Sequence, residues 1–333
     1  MDHWPPARPE DGEPTVVRAL AADSAGGPLA VAATERGAVR VWDTATGEPV
    51  GRPCADDGGA GQVALTRLAG RPVAVTAGGD EGAVRLFDVL TGRPLGDPLT
   101  DTGPSAALAV AAARSPLLVA GRLDGTTRVW DLSAPTAEGV VLSEAGPPLA
   151  VATATAPDGR PYAVTVTPDD GGGTGGGRSG GGRTDGGGTD FGTVRLWDLS
   201  TLRPLGEPLG QGAEVHTAAL AFPSPDGDPV VVTAGWDKAV RLWDPFTARP
   251  LGAPLTATDG ARALVTAHLA GRPVAATAPP GASGAVRLWD LLTRRPLGPD
   301  HRVPHPVRAL AATPSGVLLA ATGPHVVPLP LPA

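Results

Sequence analysis

The chain has one cysteine, Cys54, in 333 residues. A lone thiol cannot close an internal disulfide, and without a second thiol it cannot found a cysteine-based zinc site. Isoleucine and asparagine are absent, and Lys238, Tyr162 and Met1 are the sole members of their types. Those residues use AT-rich codons, whereas the abundant Ala, Gly, Pro and Arg use GC-rich ones. A high-GC bacterial genome explains the bias, so arginine abundance is not by itself a phosphate-binding signal. Positive charge is in deficit: 27 Lys plus Arg against 34 Asp plus Glu gives a net charge of −7. That balance excludes a general nucleic-acid binder, which needs a basic surface to displace counterions. No run reaches the roughly 18 apolar residues of a membrane span. The opening Met1-Asp2-His3-Trp4-Pro5-Pro6 lacks the basic and apolar regions of a signal peptide, so a soluble cytoplasmic protein is expected.

Glycine and proline are plentiful, at 47 and 38 residues. Both break helices, so long helices are excluded. The 41% hydrophobic content is enough for a sizeable core. The dominant feature is a repeat. Val39-Arg40-Val41-Trp42-Asp43 returns as Val84-Arg85-Leu86-Phe87-Asp88 and Thr127-Arg128-Val129-Trp130-Asp131. It returns three more times as Val-Arg-Leu-Trp-Asp, ending in Trp197-Asp198, Trp243-Asp244 and Trp289-Asp290. The closing aspartates are 45, 43, 67, 46 and 46 residues apart. Thr46, Thr91, Thr201, Thr247 and Thr293 follow them in phase, as do Gly51, Gly96, Gly206, Gly252 and Gly298. An aspartate in this place accepts backbone N–H groups two or three residues on and closes a tight turn.

Each unit reads as four short extended segments rich in Val, Leu and Thr, with Gly and Asp between them. The fourth segment carries proline, as in Arg93-Pro94-Leu95-Gly96-Asp97-Pro98, which places it at a sheet edge. Units of this length, with Trp-Asp ending the third strand, resemble the WD40 β-propeller family. The resemblance implies an all-β, seven-bladed propeller of four-stranded antiparallel blades in one domain over 1–333. The blades fall at 15–54, 62–100, 105–143, 148–209, 214–256, 261–299 and 306–333. The last unit stops after three strands, so residues 2–9 are expected to supply its outer strand and close the ring. The Gly-rich stretch 169–190 explains the one long spacing, and is expected to be a disordered loop inside the fourth blade.

Several motifs fail on context. The glycines of the insert match Gly-x-Gly-x-x-Gly, and Asp190-Phe191-Gly192 spells a kinase magnesium motif. No strand-turn-helix or partner lysine accompanies either. His301 and His305 are four apart, but Pro304 and Pro306 forbid the helix that would align them. No nucleophile elbow occurs, and neither a cofactor nor a metal is expected. The repeated tryptophans and the in-phase Arg40, Arg85, Arg128, Arg195, Arg241 and Arg287 are expected to be structural, with each arginine on the same strand face as its aromatic. In the resembled family the tryptophan joins a network with an aspartate, a hydroxyl and a Gly-His pair. Asp80, Asp124, Asp190 and Asp237 match the aspartate and Thr76 and Thr233 the hydroxyl, while Gly-His is absent from every unit.

Trp236 is out of phase, in the turn before a third strand, where the packing rule of the repeat does not require it. In the family such turns lie on the top face, where partners dock. The expected contact residues are therefore Trp236 and Lys238 with Arg36, Glu35, Asp80, Glu81, Arg122, Asp124 and Phe191. The resemblance implies a non-catalytic scaffold for a protein or peptide partner, acting as a monomer or as a subunit of a complex. Two alternatives stand beside it: an enzyme or small-ligand binder using the central channel, and the sensor part of a larger signalling complex. Catalysis would need convergent polar residues from the innermost strands, which are mostly Ala, Val and Leu.

Overall fold

A computed structural model describes residues 16–23, 27–34, 37–55, 60–78, 83–99, 105–134, 139–168, 192–209, 215–223, 228–235, 237–256, 260–281, 284–313 and 315–329. All regular structure in these residues is β-strand. The first sheet holds β1 (Val17–Ala22), β2 (Leu29–Thr34), β3 (Ala38–Asp43) and β4 (Pro49–Ala55). The second holds β5 (Gln62–Leu68), β6 (Arg71–Ala77) and β7 (Val84–Asp88), with isolated bridges from Val84 to Leu99 and from Phe87 to Pro94 marking its outer segment. The third holds β8 (Ser105–Ala111), β9 (Leu117–Arg122), β10 (Thr127–Asp131) and β11 (Val140–Ser143). The fourth holds β12 (Ala150–Thr155), β13 (Pro161–Pro168), β14 (Gly192–Asp198) and β15 (Arg203–Leu209). The fifth holds β16 (Val215–Ala221), β17 (Val230–Gly235) and β18 (Ala239–Asp244), edged by β19 (Arg249–Pro250) and β20 (Leu255–Thr256). The sixth holds β21 (Ala263–Leu269), β22 (Arg272–Ala278) and β23 (Ala285–Asp290), edged by β24 (Arg295–Pro296) and β25 (His301–Arg302). The seventh holds β26 (Val307–Ala312), β27 (Leu318–Thr322) and β28 (His325–Leu329).

Each sheet is an antiparallel meander, and the seven stand in a closed circle. The first strands touch in the order β1, β5, β8, β12, β16, β21, β26 and back to β1, so they line the axis. Val17 N–H donates to the Gly323 carbonyl at 2.8 Å, joining the first sheet to the last. The buried side chains fall into seven clusters, each shared by two consecutive blades, including one between the seventh and the first. Seven seams for seven blades is the signature of a ring without ends. The expected closing segment 2–9 and the expected loop 169–190 lie outside the described residues.

The repeated aromatic sits in the seam with the preceding blade. Trp243 packs with the fourth blade, Trp289 with the fifth, Trp42 with the seventh and Phe87 with the first. The five tryptophans of the repeat are 2–9% exposed, so they are packing residues and not a binding array. Truncating such a buried aromatic to alanine costs about 3–5 kcal/mol.

The outer strands carry the expected prolines at the edge, where a missing donor breaks no ladder. Their in-phase glycine makes a bulge. Gly51 and Gly206 have φ of +71° and +68°, and the register of β3–β4 and β14–β15 shifts there. A methyl on Gly51 would run into the Val89 carbonyl of the next blade, and one on Gly206 into the Pro245 carbonyl. The bulge thus lets an outer strand approach its neighbour's turn.

Candidate functional site

The meander sorts the turns onto two faces. The turns from second to third strand and the crossings between blades emerge on one side, called the upper face here. The turns from first to second and from third to fourth strand emerge on the lower face.

On the lower face the repeated aspartate closes each third-to-fourth turn, as the sequence predicts. Asp43 accepts the N–H groups of Ala45 (2.8 Å) and Thr46 (3.0 Å). Asp290 accepts those of Leu292 (2.9 Å) and Thr293 (2.8 Å). Asp244 takes the Phe246 N–H (2.9 Å) and the Thr247 hydroxyl (2.7 Å). The same bonding holds the Asp88 carboxyl below the usual carboxylate range, chiefly through the Thr91 N–H. Asp131 is likewise lowered, first by the Ser115 hydroxyl and then by Ser133.

Inside the blades, indole N–H groups of three tryptophans donate to threonine hydroxyls one strand in. The pairs are Trp197 to Thr165 (3.0 Å), Trp243 to Thr233 (2.9 Å) and Trp289 to Thr277 (2.9 Å). Thr233 was expected in this role; Thr165 and Thr277 were not. Thr76 holds the same register, opposite Arg85, but its blade carries Phe87, which has no N–H to give. The third blade is the reverse case: Ala120 stands opposite Arg128, and Trp130 Nε1 is buried with no hydrogen-bond partner among the described residues.

The in-phase arginines are structural where their contacts are seen. Arg287 pairs with Asp300 through two bonds (2.6 and 2.7 Å) and lies 5.7 Å from the Trp289 ring centroid, which places both on one strand face. The Arg287 guanidinium holds the Asp300 carboxyl below the usual range. Arg128 donates to the Gly139 carbonyl at 3.2 Å. Arg241 pairs with Asp237 at 2.5 Å, so one of the aspartates matched to the family network is taken by arginine.

Of the nine expected contact residues, Arg122, Asp124 and Lys238 are described. Trp236, Arg36, Glu35, Asp80, Glu81 and Phe191 lie outside the described residues. Arg122 and Asp124 form an ion pair (3.1 Å) across the second-to-third turn of the third blade. Burial pushes the Asp124 carboxyl up, but the Thr126 N–H and hydroxyl and the Arg122 guanidinium together hold it below the usual range. Lys238 is exposed in the equivalent turn of the fifth blade, with φ at +62°. In the other five Trp-Asp-type units the residue at that place is glycine: Gly37, Gly82, Gly125, Gly192 and Gly284. Lys238 alone puts a side chain there, and lining up the six units makes the exception visible in the sequence.

No described group of three or more His, Cys, Asp or Glu is arranged to hold a metal ion. The Cys54 thiol is buried between the first and second blades, and burial, with the Asp88 charge, pushes its pKa up to about 11. No helix among the described residues is long and apolar enough to cross a membrane.

Seven antiparallel blades around an axis, with a tryptophan in most seams and an aspartate closing the turn after it, define a β-propeller. Residues 207–244 match the WD40 family, described as WD domain, G-beta repeat. That segment is the end of the fourth blade and the first three strands of the fifth, and the other five Trp-Asp-type units repeat its pattern in phase. The chain is a seven-bladed β-propeller, one stretch of which matches a WD repeat. No curated protein matches its sequence.

Proposed function

We propose that the protein is a non-catalytic interaction scaffold that holds a protein or peptide partner against its upper face. Trp236 and Lys238 form the centre of the contact, with Glu35, Arg36, Asp80, Glu81, Arg122, Asp124 and Phe191 around them. The observation that carries this reading is Lys238. A side chain in the left-handed region costs about 1–2 kcal/mol, and three of the equivalent glycines, Gly37, Gly125 and Gly284, have positive φ as well. Among the described residues no packing repays that strain, since the side chain is exposed and the neighbouring carboxylate, Asp237, is already paired with Arg241. Strain retained without a structural return belongs at functional positions. In the sequence Lys238 follows Trp236 by two residues, and tryptophan is a residue type that interface anchors favour.

The test compares the wild-type chain with Lys238→Gly and Trp236→Ala in affinity capture from native lysate, with a thermal melt of each. Lys238→Gly is expected to raise the melting temperature and to lose the captured partner; Trp236→Ala is expected to lose it at unchanged stability. If Lys238→Gly is more stable and still captures the same protein, the upper-face reading is wrong.

A further inference from the structure

The residue two places after the repeated aspartate gives its backbone N–H to the turn, and Ser133 alone of those described adds a side-chain bond to its aspartate, so the side chain at this place is largely free to vary. In the first, third and fourth blades it is small: Ala45, Ser133 and Ser200. In the second, fifth and sixth it is large and apolar. Leu90, Phe246 and Leu292 are 54%, 52% and 61% exposed. Leu90 is isolated, because the blades beside it carry Ala45 and Ser133. Phe246 and Leu292 occupy the equivalent lower-face turns of two adjacent blades.

Arginines surround these two turns. Arg249 and Arg295 open the outer strands of the two blades, and both are exposed. Arg294, at φ +57°, occupies the space a methyl on Gly252 would need, so its guanidinium spans from the sixth blade to the fifth. Arg272 opens β22 and lies 4.0 Å from Asp290. The carboxylates of the same turns, Asp244 and Asp290, are engaged with backbone N–H groups. A chain of net charge −7 thus gathers positive charge around two solvent-facing apolar side chains.

We infer that the lower rim of the fifth and sixth blades is a second docking surface, which takes an extended acidic peptide segment bearing large apolar side chains. Phe246 and Leu292 are the anchors, and Arg249, Arg272, Arg294 and Arg295 set the sign of the partner's charge. Aromatic residues and arginine are the types that interfaces favour, and charge complementarity governs choice of partner and encounter rate. An aliphatic anchor as exposed as Leu292 finds its contact in another apolar side chain rather than in a sugar-phosphate chain. This surface is on the opposite face from Lys238, so the propeller joins two partners at once.

The probe is a short fluorescein-labelled peptide of Glu, Leu and Phe, followed by fluorescence anisotropy. Its counterparts are a Lys-for-Glu peptide, a Ser-for-Leu/Phe peptide and oligo-dT. The wild-type chain is expected to bind the first alone and to bind it more weakly as salt rises. Phe246→Ala/Leu292→Ala is expected to weaken binding at least about tenfold. Arg249→Glu/Arg295→Glu is expected to do the same, while Lys238→Gly leaves it unchanged. All five substituted side chains are exposed, and circular dichroism checks that each variant folds. The inference is overturned if the wild-type chain shows no saturable binding, if the basic peptide or oligo-dT binds as well, or if Phe246→Ala/Leu292→Ala has no effect. It is also overturned if that double variant converts an associated chain to a monomer in sedimentation, which would assign the patch to a second copy of the chain.

Discussion

Replacing Thr277 by valine exchanges one hydroxyl for a methyl at nearly constant volume, in a place where both partners are buried. Thr277 is 3% exposed and Trp289 is 2% exposed, with 2.9 Å between hydroxyl and indole nitrogen. The substitution removes a hydrogen bond and leaves the Trp289 N–H without a partner in the seam. An orphaned buried donor costs about 1–3 kcal/mol, so a loss near 2 kcal/mol is expected. Trp289→Phe removes the donor instead, together with part of the ring. In that background Thr277→Val is expected to be neutral or slightly stabilising, because exchanging both polar partners for apolar groups leaves nothing unpaired. The coupling between the two sites is then at least about 1 kcal/mol. The assay is equilibrium urea denaturation followed by far-ultraviolet circular dichroism, read as midpoint shifts at constant slope. The protein contains both natural counterparts: the second blade has Phe87 with Thr76 in the threonine register, and the third has Trp130 with Ala120 in that register. Equal losses for Thr277→Val in the two backgrounds would refute the reasoning and move the cost to packing around the methyl.

Two further outcomes follow from the turns and bulges. Gly206→Ala meets the Pro245 carbonyl in addition to left-handed strain, whereas Gly96, at φ +74°, has nothing within 4 Å among the described residues. Gly96→Ala is therefore expected to cost about 1 kcal/mol and Gly206→Ala clearly more, by thermal melts of the two variants; equal losses would show that the neighbouring turn yields. Acid is expected to destabilise the chain only below the ordinary carboxylate range. The carboxyls of Asp88, Asp131, Asp244 and Asp300 titrate lower in the folded chain than in the unfolded one, so their contribution is complete above about pH 4 and is lost as pH falls toward the folded values. A urea midpoint that drops near pH 6 instead would shift the sensitivity to the histidines.

The blades were legible because each signal was local. Trp243-Asp244 fixes the end of a third strand, Thr247 its turn, and Pro250 the edge strand after it, all within a few residues. The hydroxyl partners were less so, because they depend on register across strands. Thr233 precedes its tryptophan by 10 residues, but Thr165 precedes Trp197 by 32, since the glycine-rich stretch lies between them. Phe246 and Leu292 could not be told from turn filler by sequence alone. Apolar residues in those units are mostly interior, and the exposure of these two follows only once the ring fixes which side of each turn meets solvent. On the upper face Trp236 stands out in the sequence as an out-of-phase aromatic, and Lys238 as the one side chain where the other five Trp-Asp-type units have glycine.

The lone thiol offers something the other buried side chains do not. Cys54 is sealed in the seam between the first two blades, on an outer strand. A maleimide reaches it only when that seam parts, so the alkylation rate times the opening of one of seven like joints. Comparing that rate with global unfolding would tell whether the disc yields one joint at a time or all together.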